Sequence, residues 1–478
     1  MAVRRILTLT SSLAIATGGA NASPRSDPTS GRAVFTGAAT PGSSAIALDP
    51  AALGLAAPGG LEIYFGLVST LDQITIDRKT IDVSTGVLAD GPTVSTKLFA
   101  PGGALAFIWH PSAGLTLGFE TRMPASETFI SDQQPLRYHT LGDGQRTYLA
   151  TVGVSLRVTS RFSFGASLSH ENTFLRLRYA RDVALEAGRG AGGIDSDCGG
   201  GAPCGVENPE ATELYDVDVK SPTLATQNLK VNLGAIVQVA RDVFVGVAYH
   251  TPPGFDVQTP LTGSMEVTRA PRDGGGVVSG DSTVYVSFPA SIDAEVRARL
   301  PSQLELHVGG RLEDLSRMQA YDVRGIGTAL RAANVPEWTE RARGFDDSFA
   351  VWGGIEQVDV GDRWRFGGRV GVETASLENQ RTSPQTISPT SLTADLGAQL
   401  RAGAWLIQLS YGLQYFERVN VESSAYDPRH RLDCIESGYD YSTPGCTAVR
   451  DGYALPTAAG DYNRIQHVAR LVFRYEIP

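Results

Sequence analysis

From Gly60 to the C-terminus the chain alternates apolar and polar residues almost without pause, and this period of two constrains every fold open to it. In "AWLIQLSYGLQYFER", Trp405, Ile407, Leu409, Tyr411, Leu413 and Tyr415 share one face. Gln408, Ser410, Gly412 and Gln414 fall on the other. "RWRFGGRVGVE" sets Trp364, Phe366, Val370 and Val372 against Arg363, Arg365, Arg369 and Glu373. "TVYVSFPASIDAEVRARL" reads as a single strand whose apolar face runs from Val284 through Phe288 and Ile292 to Leu300. A period of two at such length specifies β-strand.

About fourteen such segments can be counted. They begin near Leu61, Leu98, Gly114, Thr147, Arg161, Asn228 and Asp242, and then near Thr283, Ser302, Ser348, Arg363, Ser391, Ala404 and Gln466. The links between them alternate in length. "HPSAG", "VTSR", "ARD", "LPS", "VGDR" and "RAGA" are tight, whereas 181–227 and 422–464 are long and polar. Short turns at one end and long loops at the other are the mark of an up-and-down barrel in an outer membrane. A β-sandwich also alternates, so further features decide. Trp109, Phe162, Phe244, Trp364, Trp405 and Tyr475 crowd the tight-turn ends, where an interfacial aromatic girdle belongs. The polar faces are dense in Arg, Glu and Gln, which suits a wet lumen. Backbone groups in lipid must all be paired, so apolar-faced strands there have to close on themselves. The fold class expected is all-β: a transmembrane antiparallel barrel spanning residues 61–478.

The N-terminus reads as a secretion signal over residues 1–22: Arg4 and Arg5, a short apolar run, then a small-residue "ANA". No later apolar run reaches the roughly 18 residues of a spanning helix. The formal net charge is −10, from 41 basic and 51 acidic residues, which argues against a nucleic-acid partner. The cysteines fall in two close pairs in Gly/Asp/Pro-rich segments, Cys198 with Cys204 and Cys434 with Cys446. Each pair is read as a local disulfide of an oxidising compartment. The rival reading, a metal site, has the wrong spacing for a zinc knuckle and no His within either pair. No nucleophile–base spacing, metal cluster or phosphate loop stands out, so no enzyme activity, cofactor or metal is expected.

Residues 23–60, with "GRAVFTGAATPGSSAIALDPAALGLAAPGG", have no strand pattern yet carry apolar groups that need cover. Folded into the lumen as a plug, they find it. In its order this segment, followed by "SRFSFGASLSHENTFLRLRYAR", "VFVGVAYHTPPGFDVQTPLTGSMEV" and "YVSFPASIDAEVRARLPSQLELHVG", resembles the FadL/TodX family of outer-membrane transporters for fatty acids and aromatic hydrocarbons. The resemblance implies a fourteen-stranded barrel with an N-terminal hatch, in the bacterial outer membrane. The family's Gly-Arg-Ala and Asn-Pro-Ala positions match Gly31, Arg32, Ala33 and Asp49, Pro50, Ala51, with Asp in place of Asn. It also implies a kinked third strand that opens the wall sideways, which maps to Met123 and Pro124. In well-studied members the third long loop carries apolar helices; here 181–227 is Gly-rich and acidic.

The function expected is uptake of a hydrophobic small molecule with release into outer-membrane lipid, by a chain acting as a monomer. Arg311, His307, Arg365 and Arg369 are the lumen residues that could meet a ligand; such charges otherwise pair among themselves. A general diffusion porin or a structural outer-membrane barrel, with residues 23–60 as a periplasmic tail, is the main alternative. A barrel enzyme and a secreted β-sandwich adhesin are the others.

Overall fold

The structure is a computed structural model that describes residues 33–55, 60–81, 88–124, 128–129, 134–182, 216–255, 258–271, 274–333, 335–360, 363–425 and 457–477. The expected signal peptide, Gly31, Arg32 and most of the loop 181–227 lie outside the described residues. So do Cys198, Cys204, Cys434 and Cys446, and with them both expected disulfides.

Twenty strands are described. The first are β1 (Leu61–Ile81), β2 (Leu88–Ser112), β3 (Leu115–Met123), β4 (Thr128–Phe129), β5 (Asp143–Arg157), β6 (Phe162–Asp182) and β7 (Asp216–Ala240). Then come β8 (Val243–His250), β9 (Thr259–Thr268), β10 (Val277–Val286), β11 (Ser291–Arg299), β12 (Leu304–Glu313), β13 (Ala320–Ile326) and β14 (Trp338–Ala342). The last are β15 (Ser348–Val360), β16 (Trp364–Glu373), β17 (Ser391–Ala402), β18 (Trp405–Phe416), β19 (Val419–Val421) and β20 (Gly460–Ile477).

Fourteen of them make the wall. β1, β2, β3, β5, β6, β7 and β8 pair antiparallel in sequence. From β8 the wall continues through β11, β12, β15, β16, β17, β18 and β20. β20 then pairs with β1 along eighteen positions, from Leu61↔Ile477 to Arg78↔Gly460. The sheet thus closes on itself. At the tight-turn end Asp242, Gln303 and Gly403 take positive φ (67°, 62° and 63°), which lets the chain reverse in a few residues.

The alternation sorts side chains as the sequence demands. On β18, Trp405, Leu409, Tyr411 and Tyr415 face out, and Leu406, Gln408, Ser410 and Gln414 are buried inside. Outward apolar residues stay bare, Leu396 at 69% and Leu409 at 60% exposure among them, a surface that water does not favour and acyl chains do. At the tight-turn end Trp405 packs on Tyr475 with centroids 4.6 Å apart, and Trp364 stacks on Phe366 at 5.7 Å. The interior instead holds ion pairs: Arg464 binds both oxygens of Asp72, and Arg311 donates to both oxygens of Asp293 at 2.8 Å.

One strand expected from the sequence is two. Thr283–Leu300 does not run as one ribbon: β10 ends at Val286 and β11 begins at Ser291. Ser287–Ala290, with Pro289 lacking an N–H, breaks the ladder between them. Val284 and Val286 are buried, while Ile292 and Val296 face outward, so the apolar face changes environment across the break. β10 belongs to a ribbon that continues the far end of β7 through β9, β10, β13 and β14. Its core includes Leu224, Leu261, Met265, Val284, Tyr321 and Leu330.

Residues 33–55 lie inside the barrel. α1 (Ala45–Leu48) is a single helical turn. It stops at Asp49, which is extended (φ −146°, ψ 97°) because a residue before proline avoids the helical region. A 3₁₀ turn, Pro50–Leu55, follows; Pro50 suits its first position, and Asp49 Oδ1 accepts the Ala51 N–H at 2.9 Å as its cap.

Candidate functional site

The lumenal segment is held in two different ways. Its first half hangs on carboxylates of the wall. The Val34 N–H donates to Asp395 Oδ1 of β17 at 3.2 Å, and the Phe35 N–H to Glu356 Oε1 of β15 at 2.9 Å. Thr40 Oγ1 donates to Glu295 Oε1 of β11 at 3.3 Å. These anions are balanced by wall guanidinium groups: Arg470 on Asp395, and Arg365 on both Glu356 and Glu305.

The second half is seated by shape. Ile46 and Leu53 are fully buried among Tyr64, Ala106, Ile108 and Ile236. Each such burial is worth roughly 1.5–3 kcal/mol. The wall makes room with inward-facing glycines. A side chain at Gly165 would overlap the backbone of Pro50 and Ala51, and one at Gly118 would strike Ile46. At Gly234 it would meet the Asp49 carboxylate; the first half has such seats too, with the Ala38 carbonyl over Gly246 and Val34 and Phe35 over Gly397. Glycine inside a strand marks a site where another backbone comes close. Ser155 Oγ donates to the Ala51 carbonyl at 3.1 Å, and the Arg157 guanidinium caps the Gly54 carbonyl.

Asp49 is buried with Oδ2 free of any hydrogen bond. Burial, with Asp293 and Glu295 nearby, pushes its carboxyl well above the usual carboxylate range. A protonated Asp49 is neutral and can act much as an Asn would, which removes the penalty of a charge at this enclosed spot.

Between the first half and the wall lies a cavity of about 140 Å³. Phe35 and Pro41–Ser44 cover it, and β1, β2, β3, β18 and β20 surround it. Gly66, Gly103, Ala104 and Ala106 leave the space by having almost no side chain. Leu67, Val68, Leu406 and Val472 make it mainly apolar; Glu120, Arg122, Gln399, Gln408, Arg470 and Arg474 supply polar atoms. The cavity reaches Met123 and Pro124. Here the wall changes. β2 pairs with β3 only from Ser112 back to Gly103, which faces Met123. β3 ends there, and Pro124 has no N–H with which to extend it. The rest of β2, back to Leu88, pairs with β1 on its other side, while β4 pairs with β5. Among the described residues, β2 thus has no ladder partner on its β3 side beyond Gly103.

The residues singled out from sequence are distributed unevenly. Ala33, Asp49, Pro50 and Ala51 lie buried in the lumenal segment, and Met123 and Pro124 line the cavity. Arg311 is committed to Asp293, which also binds His250 Nε2 at 2.9 Å. Arg365 and His307 meet at Glu305 and Glu356. Arg369 is buried on β16 against Gly354. None of these four lines the cavity; the guanidinium groups there are those of Arg122, Arg470 and Arg474. The two cysteine pairs, Cys198 with Cys204 and Cys434 with Cys446, have no place in this site, since all four lie outside the described residues. Sequence reasoning also missed the glycine seat and the carboxylates that grip the segment. The available signal was glycine at inward positions of otherwise well-patterned strands.

No protein-family model and no curated protein sequence matches the chain. Solved structures do. A FadL homologue from Pseudomonas aeruginosa superposes with a TM-score of 0.72 at 15% identity, covering 96% of this chain and 99% of that one. The toluene transporter TbuX of Ralstonia pickettii gives 0.57 at 16% identity, over 91% and 94% of the two chains. The toluene transporter TodX of Pseudomonas putida gives 0.60 at 14% identity, over 96% and 98%. At such identities the likeness is one of architecture, and it is the architecture that the order of sequence motifs implied. This chain has the closed, fourteen-stranded antiparallel barrel fold of the FadL- and TodX-type structures.

Proposed function

We propose that the chain is a FadL/TodX-type transporter of the bacterial outer membrane. In this reading it takes up a small hydrophobic molecule and releases it sideways into outer-membrane lipid. One observation carries the reading: the apolar cavity under the lumenal segment reaches the wall where β3 stops at Met123 and Pro124. Each CH₂ moved from water to an apolar environment gains about 0.8 kcal/mol, so a route from cavity to bilayer keeps what an aqueous pore would forfeit. The apolar outer face supports the location, and the two toluene transporters and the FadL homologue support the ligand class.

The cavity's size narrows that class. At about 140 Å³ it is close to the roughly 150 Å³ engineered cavity known to bind benzene. A single aromatic ring fits it. A diffusion porin needs an open lumen, and residues 33–55 occupy this one. Residues 23–60 act as the hatch, which shifts to admit the ligand, and one barrel suffices as a monomer.

The test is entry of labelled toluene into cells whose only such barrel is this one. Ala106→Phe, which fills the cavity, and Pro124→Val, which lets β3 continue, are both expected to cut entry at least tenfold at equal surface level. Unchanged entry through Ala106→Phe would refute the cavity route; unchanged entry through Pro124→Val would refute the side opening.

A further inference from the structure

Behind the first half of the lumenal segment, three strands bring a histidine and three carboxylates to one enclosed point. The His307 side chain on β12 is wholly buried. Its Nδ1 lies 2.9 Å from Glu295 Oε1 of β11, a hydrogen bond that places the ring proton on Nδ1 in the neutral tautomer. Nε2 then carries a lone pair, and no hydrogen bond reaches it. It is aimed between Glu356 Oε1, 3.6 Å away, and Glu305 Oε2, 3.8 Å away. Both are acceptors as well. Glu305 Oε2 already accepts from Arg365 and Glu356 Oε1 from the Phe35 N–H, so the unmet acceptor is Nε2, which faces two carboxylate oxygens with no donor of its own.

We propose that Glu305, His307 and Glu356 form a divalent-cation site of zinc type. The donor atoms of all three fall within 4.8 Å of one another. Ligands of a tetrahedral zinc ion with bonds of about 2.0–2.2 Å stand roughly 3.3–3.6 Å apart, close to the 3.6 and 3.8 Å from Nε2 to the two carboxylate oxygens, and a water would take the fourth position. One imidazole and two carboxylates match that ion's ligand set, and with Glu295 they offset the charges of the ion and of Arg365. Glu295, on the remaining ring nitrogen, takes the part of the outer carboxylate that orients a metal-bound histidine. Arg365 touches Glu305 and Glu356 as well, so it neutralises the carboxylates but brings no donor to Nε2. The rival is an imidazolium held between the two carboxylates by charge alone.

The site is structural in kind. Glu356 Oε1 also accepts the Phe35 N–H, and Glu295 Oε1 accepts Thr40 Oγ1. A bound cation therefore ties β12 and β15 to the frame on which the segment rests, whatever the barrel transports.

The experiment uses the full barrel in detergent, stripped with a chelator and titrated with Zn²⁺ alone, with bound metal counted after desalting. One tightly held ion per chain is expected, and Co²⁺ in its place should show the absorption of a tetrahedral site. His307→Gln should abolish that ion, and Glu295→Gln should weaken it by ~10–100-fold. His110→Gln, whose ring lies outside this cluster, should retain it. Heat-modifiable gel migration reports whether each variant is folded; should His307→Gln fail that check, Glu305→Gln decides by the same criterion. A stripped wild-type barrel that takes up no Zn²⁺, or a folded variant that binds it as tightly, would overturn the site and leave the imidazolium pair.

Discussion

The two halves of the lumenal segment both rest on inward-facing glycines, but only the first also hangs on wall carboxylates. Residues 33–40 are gripped through hydrogen bonds from their own backbone and one hydroxyl to Asp395, Glu356 and Glu295. Residues 45–55 rest on Gly118, Gly153, Gly165 and Gly234, with Ile46 and Leu53 pressed into the wall. A grip through a few directional bonds can be exchanged for water one bond at a time. A seat built from close packing has no such intermediate, because a partly withdrawn Ile46 leaves a void. The cavity lies under Phe35, Thr36 and Pro41–Ser44, ahead of that second half. In the proposed reading the stretch over the cavity is the part that lifts, and the second half is its anchor.

Breaking the anchor should have the largest effect. Gly165→Leu places a side chain where the backbone of Pro50 and Ala51 now runs. The whole segment should leave its seat, so that a cysteine at Ala52 reacts with a soluble maleimide and the barrel begins to conduct. Failure of both would mean that the packing does not hold the segment. Loosening the grip should do less and act on one half only. Glu356→Gln weakens the charged acceptor of the Phe35 N–H, a loss of about 1.4 kcal/mol. Labelling of a cysteine at Thr36 should then rise roughly tenfold, with Ala52 still protected. Equal labelling of both would erase the distinction between grip and anchor.

The smallest effect concerns Asp49. Its folded-state pKa is raised, mainly by burial, so the folded chain keeps a proton that an unfolded chain has lost. The seat is therefore at full stability below the usual carboxylate range and weakens as pH climbs from there towards the raised value. Asp49→Asn, neutral at every pH, should remove that part of the dependence, read as protection of Ala52→Cys between acid and alkaline buffers. The same slope in the variant would show that Asp49 is ionised in its pocket.

Much of the wall was readable because β-pleating forces period two, and a lumen and a bilayer reward opposite sides of it. The faces of β16 and β18 follow directly from "RWRFGGRVGVE" and "AWLIQLSYGLQYFER". Thr283–Leu300 misled because parity survives a break: Val284 and Ile292 keep even spacing yet lie in different environments on either side of Pro289. The ribbon of β9, β10, β13 and β14 was hidden for the same reason, since its apolar face meets a local core. The site was less legible. Glycine carries no hydropathic sign, so Gly165 and Gly234 read as gaps in a pattern although each makes a contact. Glu295, Glu356 and Asp395 stand on three separate strands, and only barrel closure shows that they face one segment.

Plugged transport requires residues 33–55 to close the lumen, and conductance across a planar bilayer tests that most directly. The intact barrel should be nearly silent, and the barrel lacking residues 33–55 should carry a large ohmic current. An intact chain that conducts as freely as the deletion would contradict it.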